Sequence, residues 1–170
     1  MIGYKFLRRD GTSVFTGFRW PLPEGGAPGR WVEARVDPCR SGVHACRPAE
    51  LPLWVAPVLY EIELDGDIVE QRWKVVASRG RLLRRIDRWD DQLRDAYTRM
   101  CADRAHGLAL GAAPPLTGWD AVIEPSVPEG PALLGFVVAR IGEERWGVQG
   151  YHAERARQTA WLVEHLALPG

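Results

Sequence analysis

A surplus of basic charge, a long apolar run and a dense set of cysteines are all missing from this chain, and each absence narrows what it can be. Lysine plus arginine total 22 and aspartate plus glutamate total 22, so the formal net charge is zero. A general nucleic-acid binder or a membrane-surface binder normally carries a basic excess, so neither is expected. The first nine residues hold no apolar stretch of the kind a signal peptide needs, and no later stretch approaches the length that crosses a bilayer. The expectation is a cytoplasmic protein with no membrane partner. Three cysteines are too few for a disulfide scaffold, and a reducing cytosol keeps thiols reduced. Familiar catalytic signatures are missing as well. The glycine pairs lack the lysine and spacing of a phosphate loop, and there is neither a Gly-x-Ser-x-Gly elbow nor a His-Glu-x-x-His pair. No internal repeat or low-complexity run interrupts the chain.

What is present suits one domain of 170 residues, long enough to bury a core without staples. Eight tryptophans are spread along the chain rather than clustered, which reads as core and rim packing rather than a base-stacking platform. The strand-rich part is 1–88. Residues 4–7 and 14–20 flank a turn at Asp10-Gly11, and 21–29 is a Pro/Gly loop. Alternation marks 31–36. Along 58–64, Val58, Tyr60, Ile62 and Leu64 point one way and Glu61 and Glu63 the other. Turns at Asp65-Gly66-Asp67 and Ser78-Arg79-Gly80 then predict further strands at 68–77 and 81–86, an antiparallel meander. From 89 to 170 the period becomes helical. One helix runs from Asp90 or Asp91 to about His106, carrying Trp89, Leu93, Tyr97, Met100 and Cys101 at helical spacing. A Pro/Gly-rich connector spans 107–131, with a short strand at 121–124. Helices at 131–144 and 152–166 follow, with Leu134, Val137, Val138, Ile141, Ala156, Trp161, Leu162 and Leu166 as buried positions. The sum is α+β: a single domain, 1–170, with a largely antiparallel sheet from the N-terminal half packed against C-terminal helices.

Chemistry is concentrated between Pro38 and Pro48, where Cys39, His44 and Cys46 lie beside Arg40 and Arg47. Four readings compete. In an extended segment His44 and Cys46 share a face, and Cys39 returning across a loop would make three zinc ligands, Cys39, His44 and Cys46. The spacing matches no standard finger, and a fourth ligand would have to come from Cys101, His106, His152 or His165. Alternatively the flanking arginines activate a thiol, with His44 and Cys46 as a catalytic pair. A Cys39–Cys46 disulfide is sterically permitted but disfavoured by compartment. Last, the cysteines are small apolar core residues and His44 a hydrogen-bonded strand residue.

Elsewhere, Arg79, Arg81, Arg84, Arg85 and Arg88 form the densest basic run, either an anion clamp or a solvated strand edge, and nearby aspartates favour the second. Glu61, Glu63, Asp65 and Asp67 read as the wet face of a strand. Glu154, Arg155, Arg157 and Gln158 read as the polar face of the last helix.

The run Cys39-Arg-Ser-Gly-Val-His-Ala-Cys46, continuing through Glu50-Leu-Pro-Leu-Trp54, resembles a family of bacterial, mainly actinobacterial, proteins with no assigned activity. Its further blocks are matched at Tyr60-Glu-Ile-Glu-Leu64, at Lys74-Val-Val-Ala77 with Arg79-Gly-Arg-Leu82, and at Glu154-Arg-Ala-Arg-Gln158 with Trp161-Leu162. The likeness spans nearly the whole chain. The same cysteine–histidine pattern is similar to a domain found beside pentapeptide repeats and in phage proteins. The order Gly42-Val-His-Ala-Cys46, a helical piece and a strand ending at Gly66 also resembles the ADP-ribosyltransferase-like fold. That likeness sets His44 where the family stacks a tyrosine on nicotinamide. The family's His-Gly-Thr or His-Gly-Ser is absent from Tyr4-Lys-Phe-Leu7, and only Glu124 falls near the position of its catalytic glutamate.

These readings converge on an enzyme or ligand-binding domain that holds an anionic or nucleotide-like small molecule. The pocket is expected where the 39–47 segment meets the sheet, with His44 and Cys46 as its chemistry. Arg40, Arg47, Trp20 and Trp54 are its binding residues, and no cofactor is specified. The alternatives are a protein-interaction module in which Cys39, His44 and Cys46 are structural, and a structural zinc site on the same three residues.

Overall fold

Residues rich in β-branched and aromatic side chains, spaced for alternate burial, build the first ninety residues into strands. In the computed structural model of the protein, residues 1–37, 40–110 and 130–169 are described. The chain forms two compact units, Met1–Asp90 and Asp91–Pro169.

The first unit contains β1 (Ile2–Leu7), β2 (Val32–Glu33), β3 (Val43–Ala45), a 3-10 turn (Pro48–Leu53), β4 (Val58–Glu70) and β5 (Val75–Arg85). All the pairings are antiparallel, in the order β1-β4-β5-β2, with β3 also on β5. The far end of β3 then returns to β1. Tyr4 N–H donates to the Cys46 carbonyl and Cys46 N–H to the Tyr4 carbonyl, each at 2.8 Å. The path β1-β4-β5-β3 therefore closes on itself, which satisfies strand edges that would otherwise be open. One face of this ring is the core, with Leu7, Val43, Ala45, Ile62, Leu64, Val75, Ala77 and Leu82 packed around Trp20. Full burial of each larger aliphatic side chain contributes roughly 1.5–3 kcal/mol.

Three sequence expectations change here. Residues 14–20 are not a strand. Gly17 N–H bonds back to the Ser13 carbonyl at 3.0 Å and Ser13 N–H to the Phe18 carbonyl at 2.8 Å, folding the segment into a tight loop. The meander of three strands is one long hairpin of two, turning at Gln71–Lys74, where Gln71 N–H reaches the Lys74 carbonyl at 2.9 Å. Asp65-Gly66-Asp67 is a bulge inside β4, with Gly66 at φ 76° and the register slipping between Asp65 and Ile68. The Ser78 hydroxyl accepts from Asp67 N–H at 2.9 Å and stitches the bulge to β5. Turn-forming residues were absorbed into a bulge because the partner strand continued past them.

The arginines of β5 face water and are spoken for. Arg84 pairs with Glu61 at 2.6 Å, Arg81 with Glu63 at 2.8 Å and Arg79 with Asp65 at 3.6 Å, in rungs across the hairpin. Trp31 lies between Arg79 and Arg81, 4.2 and 4.6 Å from its ring centre. This is a solvated sheet face in which charge pairs are worth little each.

The second unit is three helices, α1 (Asp91–Leu110), α2 (Gly130–Trp146) and α3 (Val148–Leu166). Helix α1 runs through Gly107, past the expected end at His106. The end of the expected connector, residues 130–131, is the start of α2, while 111–129, with the expected short strand at 121–124 and Glu124, lie outside the described residues. Leu134, Val137, Val138 and Ile141 are buried on α2, but the buried stripe of α3 differs from the one expected. Glu154, Arg155 and Gln158 are buried, with Leu162 and Leu166, while Ala156 is exposed. The supposed polar face is an internal polar network. Arg104 holds both Glu154 carboxylate oxygens, at 3.0 and 2.5 Å, and Gln158 donates to the Gly135 carbonyl at 2.8 Å. No described helix is long and apolar enough to cross a membrane. A largely antiparallel sheet from the first half with helices from the second is α+β.

Candidate functional site

The segment after the described residue Asp37 resumes at Arg40 in a tight turn: Ser41 N–H bonds to the Asp37 carbonyl at 2.8 Å. The turn feeds β3, and alternation does the rest. Val43 and Ala45 enter the core, which leaves His44 on the opposite face. Beside this segment is a cavity of about 360 Å³ lying wholly within the first unit. Its walls are β1 at Tyr4, Lys5 and Phe6, β3 with Arg40 and Cys46, the 13–20 loop, Trp54 and Lys74.

The expected site residues divide. Trp20 is buried on the inner wall, its indole N–H donating to the Ser13 hydroxyl at 2.9 Å. Trp54 lines the cavity, its N–H fixed on the Trp73 carbonyl at 2.8 Å. The loop contributes Phe18, edge-on to Trp20 at 5.6 Å, and Phe15, edge-on to Trp54 at 5.9 Å. Arg40 also lines the cavity, whereas Arg47 does not. Arg47 binds the buried Glu50 carboxylate, Glu70 at 2.6 Å and the Gln71 carbonyl at 2.8 Å, tying the 3-10 turn to the end of β4.

Cys46 is buried, and its thiol donates to the Tyr4 carbonyl at 3.4 Å. Burial, then the Glu50 charge, push its pKa far above the ordinary thiol value. An un-ionised, hydrogen-bonded thiol packs the closure of the ring and is a poor nucleophile. Cys39 lies outside the described residues. Among those described, no group of three His, Cys, Asp or Glu is arranged to hold a metal ion.

His44 is half-buried, and its pKa is lowered to about 4 by desolvation first, then by the charges of Lys74 and Lys5. A backbone hydrogen bond at Ser41 pulls weakly the other way. Its Nε2 is buried with no hydrogen-bond partner among the described residues. That leaves a neutral ring with an unused nitrogen on a cavity-lining residue. The folded value lies below the unfolded one, so protonation favours the unfolded chain. The stability His44 contributes is complete above about pH 6.5 and is lost as pH falls towards 4. Denaturant melts at pH 7.5 and 5 should show a smaller acid loss for His44→Gln than for the unsubstituted chain. An equal loss in both would assign the slope to other groups.

Sequence reading overlooked two of the three cations that line the cavity, Lys5 and Lys74. Lys5 is half-buried. Its ammonium donates to the His44 carbonyl at 2.6 Å and lies 4.7 Å from the centre of the Trp20 ring. Desolvation lowers its pKa to about 8, against a small opposing effect of Cys46. A signal for both was available: the chain has only two lysines against twenty arginines, and both line this cavity. Comparison with family models, with curated proteins and with solved structures finds no match to the chain.

Proposed function

We propose that the first unit binds a small anionic molecule with a flat apolar body, of which a nucleotide is one kind. The observation that supports this is the imbalance of charge inside an aromatic cavity. Lys5, Lys74 and Arg40 line it, and its one carboxylate among the described residues, Glu33, lies 3.8 Å from Arg79. Trp20, Trp54, Phe15 and Phe18 offer faces and edges to a planar group, and the cations offer charge-assisted hydrogen bonds to its anion. Mostly apolar walls with a few polar groups are the usual make-up of small-molecule sites.

Titration calorimetry with adenosine monophosphate and with 4-(hydroxymethyl)benzoate tests the reading. At least one should bind, and Lys74→Met should weaken it about tenfold, the loss of one charged hydrogen bond. No binding of either at millimolar concentration would overturn it. A second reading, a protein-interaction module, draws on Phe15, which is 81 % exposed at the cavity's edge, and on the structural bonds of Cys46 and Arg47. There the cavity would accept a partner's side chain, and neither small anion would bind.

A further inference from the structure

The use of lysine in this chain is selective. Twenty of its 22 basic residues are arginine, and the two exceptions share one cavity. Arginine supplies charge as well as lysine does and binds anions in a better fork, so anion binding alone does not call for lysine there. What an amine can do and a guanidinium cannot is lose its proton and attack a carbon. Lys5 has the surroundings for that. It rises from β1 into an apolar aromatic cavity, and its one hydrogen-bond acceptor among the described residues is a neutral carbonyl, not a carboxylate. Desolvation lowers its pKa to about 8, although the Trp20 face 4.7 Å away favours the ammonium form. Near neutrality a useful fraction of the amine is therefore free.

Resting on the binding reading above, we infer that Lys5 captures the carbonyl group of a carboxylate-bearing aldehyde or ketone with a flat body, forming an imine in this cavity. The neutral amine adds to the carbonyl carbon, making the new C–N bond and a carbinolamine. Loss of the carbonyl oxygen as water, with both amine hydrogens, leaves C=N, and hydrolysis reverses the step. No oxidant or reductant is needed. Lys74 and Arg40 hold the carboxylate. The other titratable groups on the cavity are Tyr4, Glu33, His44 and Cys46. The His44 backbone carbonyl positions the Lys5 amine.

The chain provides its own control, since Lys5 and Lys74 are its only two lysines. The intact protein is treated with 4-carboxybenzaldehyde and cyanoborohydride, which freezes any imine as a secondary amine, and each site is read by peptide mass spectrometry. Lys5, whose amine desolvation leaves partly free near neutrality, should be modified at least about tenfold faster than Lys74. Its rate should rise with pH through about 8. The alcohol 4-(hydroxymethyl)benzoate, which cannot form an imine, should slow the reaction by competition. Lys5→Arg should melt normally and lose the fast site without transferring it to Lys74. If the alcohol binds but the two lysines react alike, the imine proposal fails and the binding reading stands. If Lys5 reacts fast but neither the alcohol nor adenosine monophosphate binds or protects it, the cavity is not a site for such anions and both fail. Equal labelling with no binding overturns both as well.

Discussion

Gly150→Ala is expected to cost the helical unit about 3 kcal/mol, the upper part of the range for forcing a group into packed structure. Helices α2 and α3 are joined by the single residue Gly147 and pack through a pair of glycines. A methyl group on Gly150 would fall 2.7 Å from the Gly142 carbonyl carbon, closer still to its oxygen, and 3.0 Å from the Trp146 Cβ. Two of these are backbone atoms, so relief requires the helices to separate. Separation would in turn strain the Arg104–Glu154 contact, because Glu154 lies one turn further along α3. Gly107→Ala on α1 is the matched control. Nothing lies within 4 Å of its added carbon, so alanine should stabilise by up to about 1 kcal/mol through helix propensity. Urea unfolding followed by circular dichroism reads both. A Gly150→Ala midpoint equal to that of the unsubstituted chain would mean that the helices do not approach this closely.

Gln158→Leu is expected to cost about 2–3 kcal/mol although leucine has a similar volume and the site is 1 % exposed. A hydrophobic residue here looks like an improvement only if hydrogen bonds are ignored. Gln158 Nε2 donates to the Gly135 carbonyl at 2.8 Å, and its Oε1 accepts from Arg155 at 3.0 Å and from the Tyr97 hydroxyl at 3.5 Å. Arg155 is itself buried, over the rings of Phe136 and Tyr151. Removing a buried acceptor of a charged donor loses far more than the net worth of an exposed hydrogen bond. Gln158→Glu should fall between, since a carboxylate satisfies Arg155 but cannot donate to Gly135. A change below about 0.5 kcal/mol for the leucine variant would show that packing alone holds this position.

The same residues show why part of the fold was hidden in the sequence. Glu154, Arg155 and Gln158 were read as a wet helix face because charged and amide side chains normally face water. Their burial depends on Arg104, fifty positions before Glu154, and on Gly135 and Tyr97, which no local pattern connects to them. The hairpin was misread for a related reason. Asp65-Gly66-Asp67 is good turn chemistry, and only the pairing of Asp65 with Arg79 and Ile68 with Ala77 makes it a bulge. At the cavity, Trp20, Trp54, Arg40 and His44 could be named as candidates, but Lys5 looked like an ordinary strand residue. Its neighbours His44 and Trp20 are supplied by ring closure through Tyr4 and Cys46 and by the 13–20 loop.

The sequence by itself determined the strand-rich first half, the helical second half and the hydrophobic positions of β4 and α2. Those follow from residue spacing, which acts within a few positions. It also determined that two lysines would stand among twenty arginines. Only the tertiary structure decided that both face one aromatic cavity, that Cys46 is a packed thiol and that Arg47 is a strut. Burial, and with it the protonation of Lys5, His44 and Cys46, is set by groups distant in sequence that exclude water together.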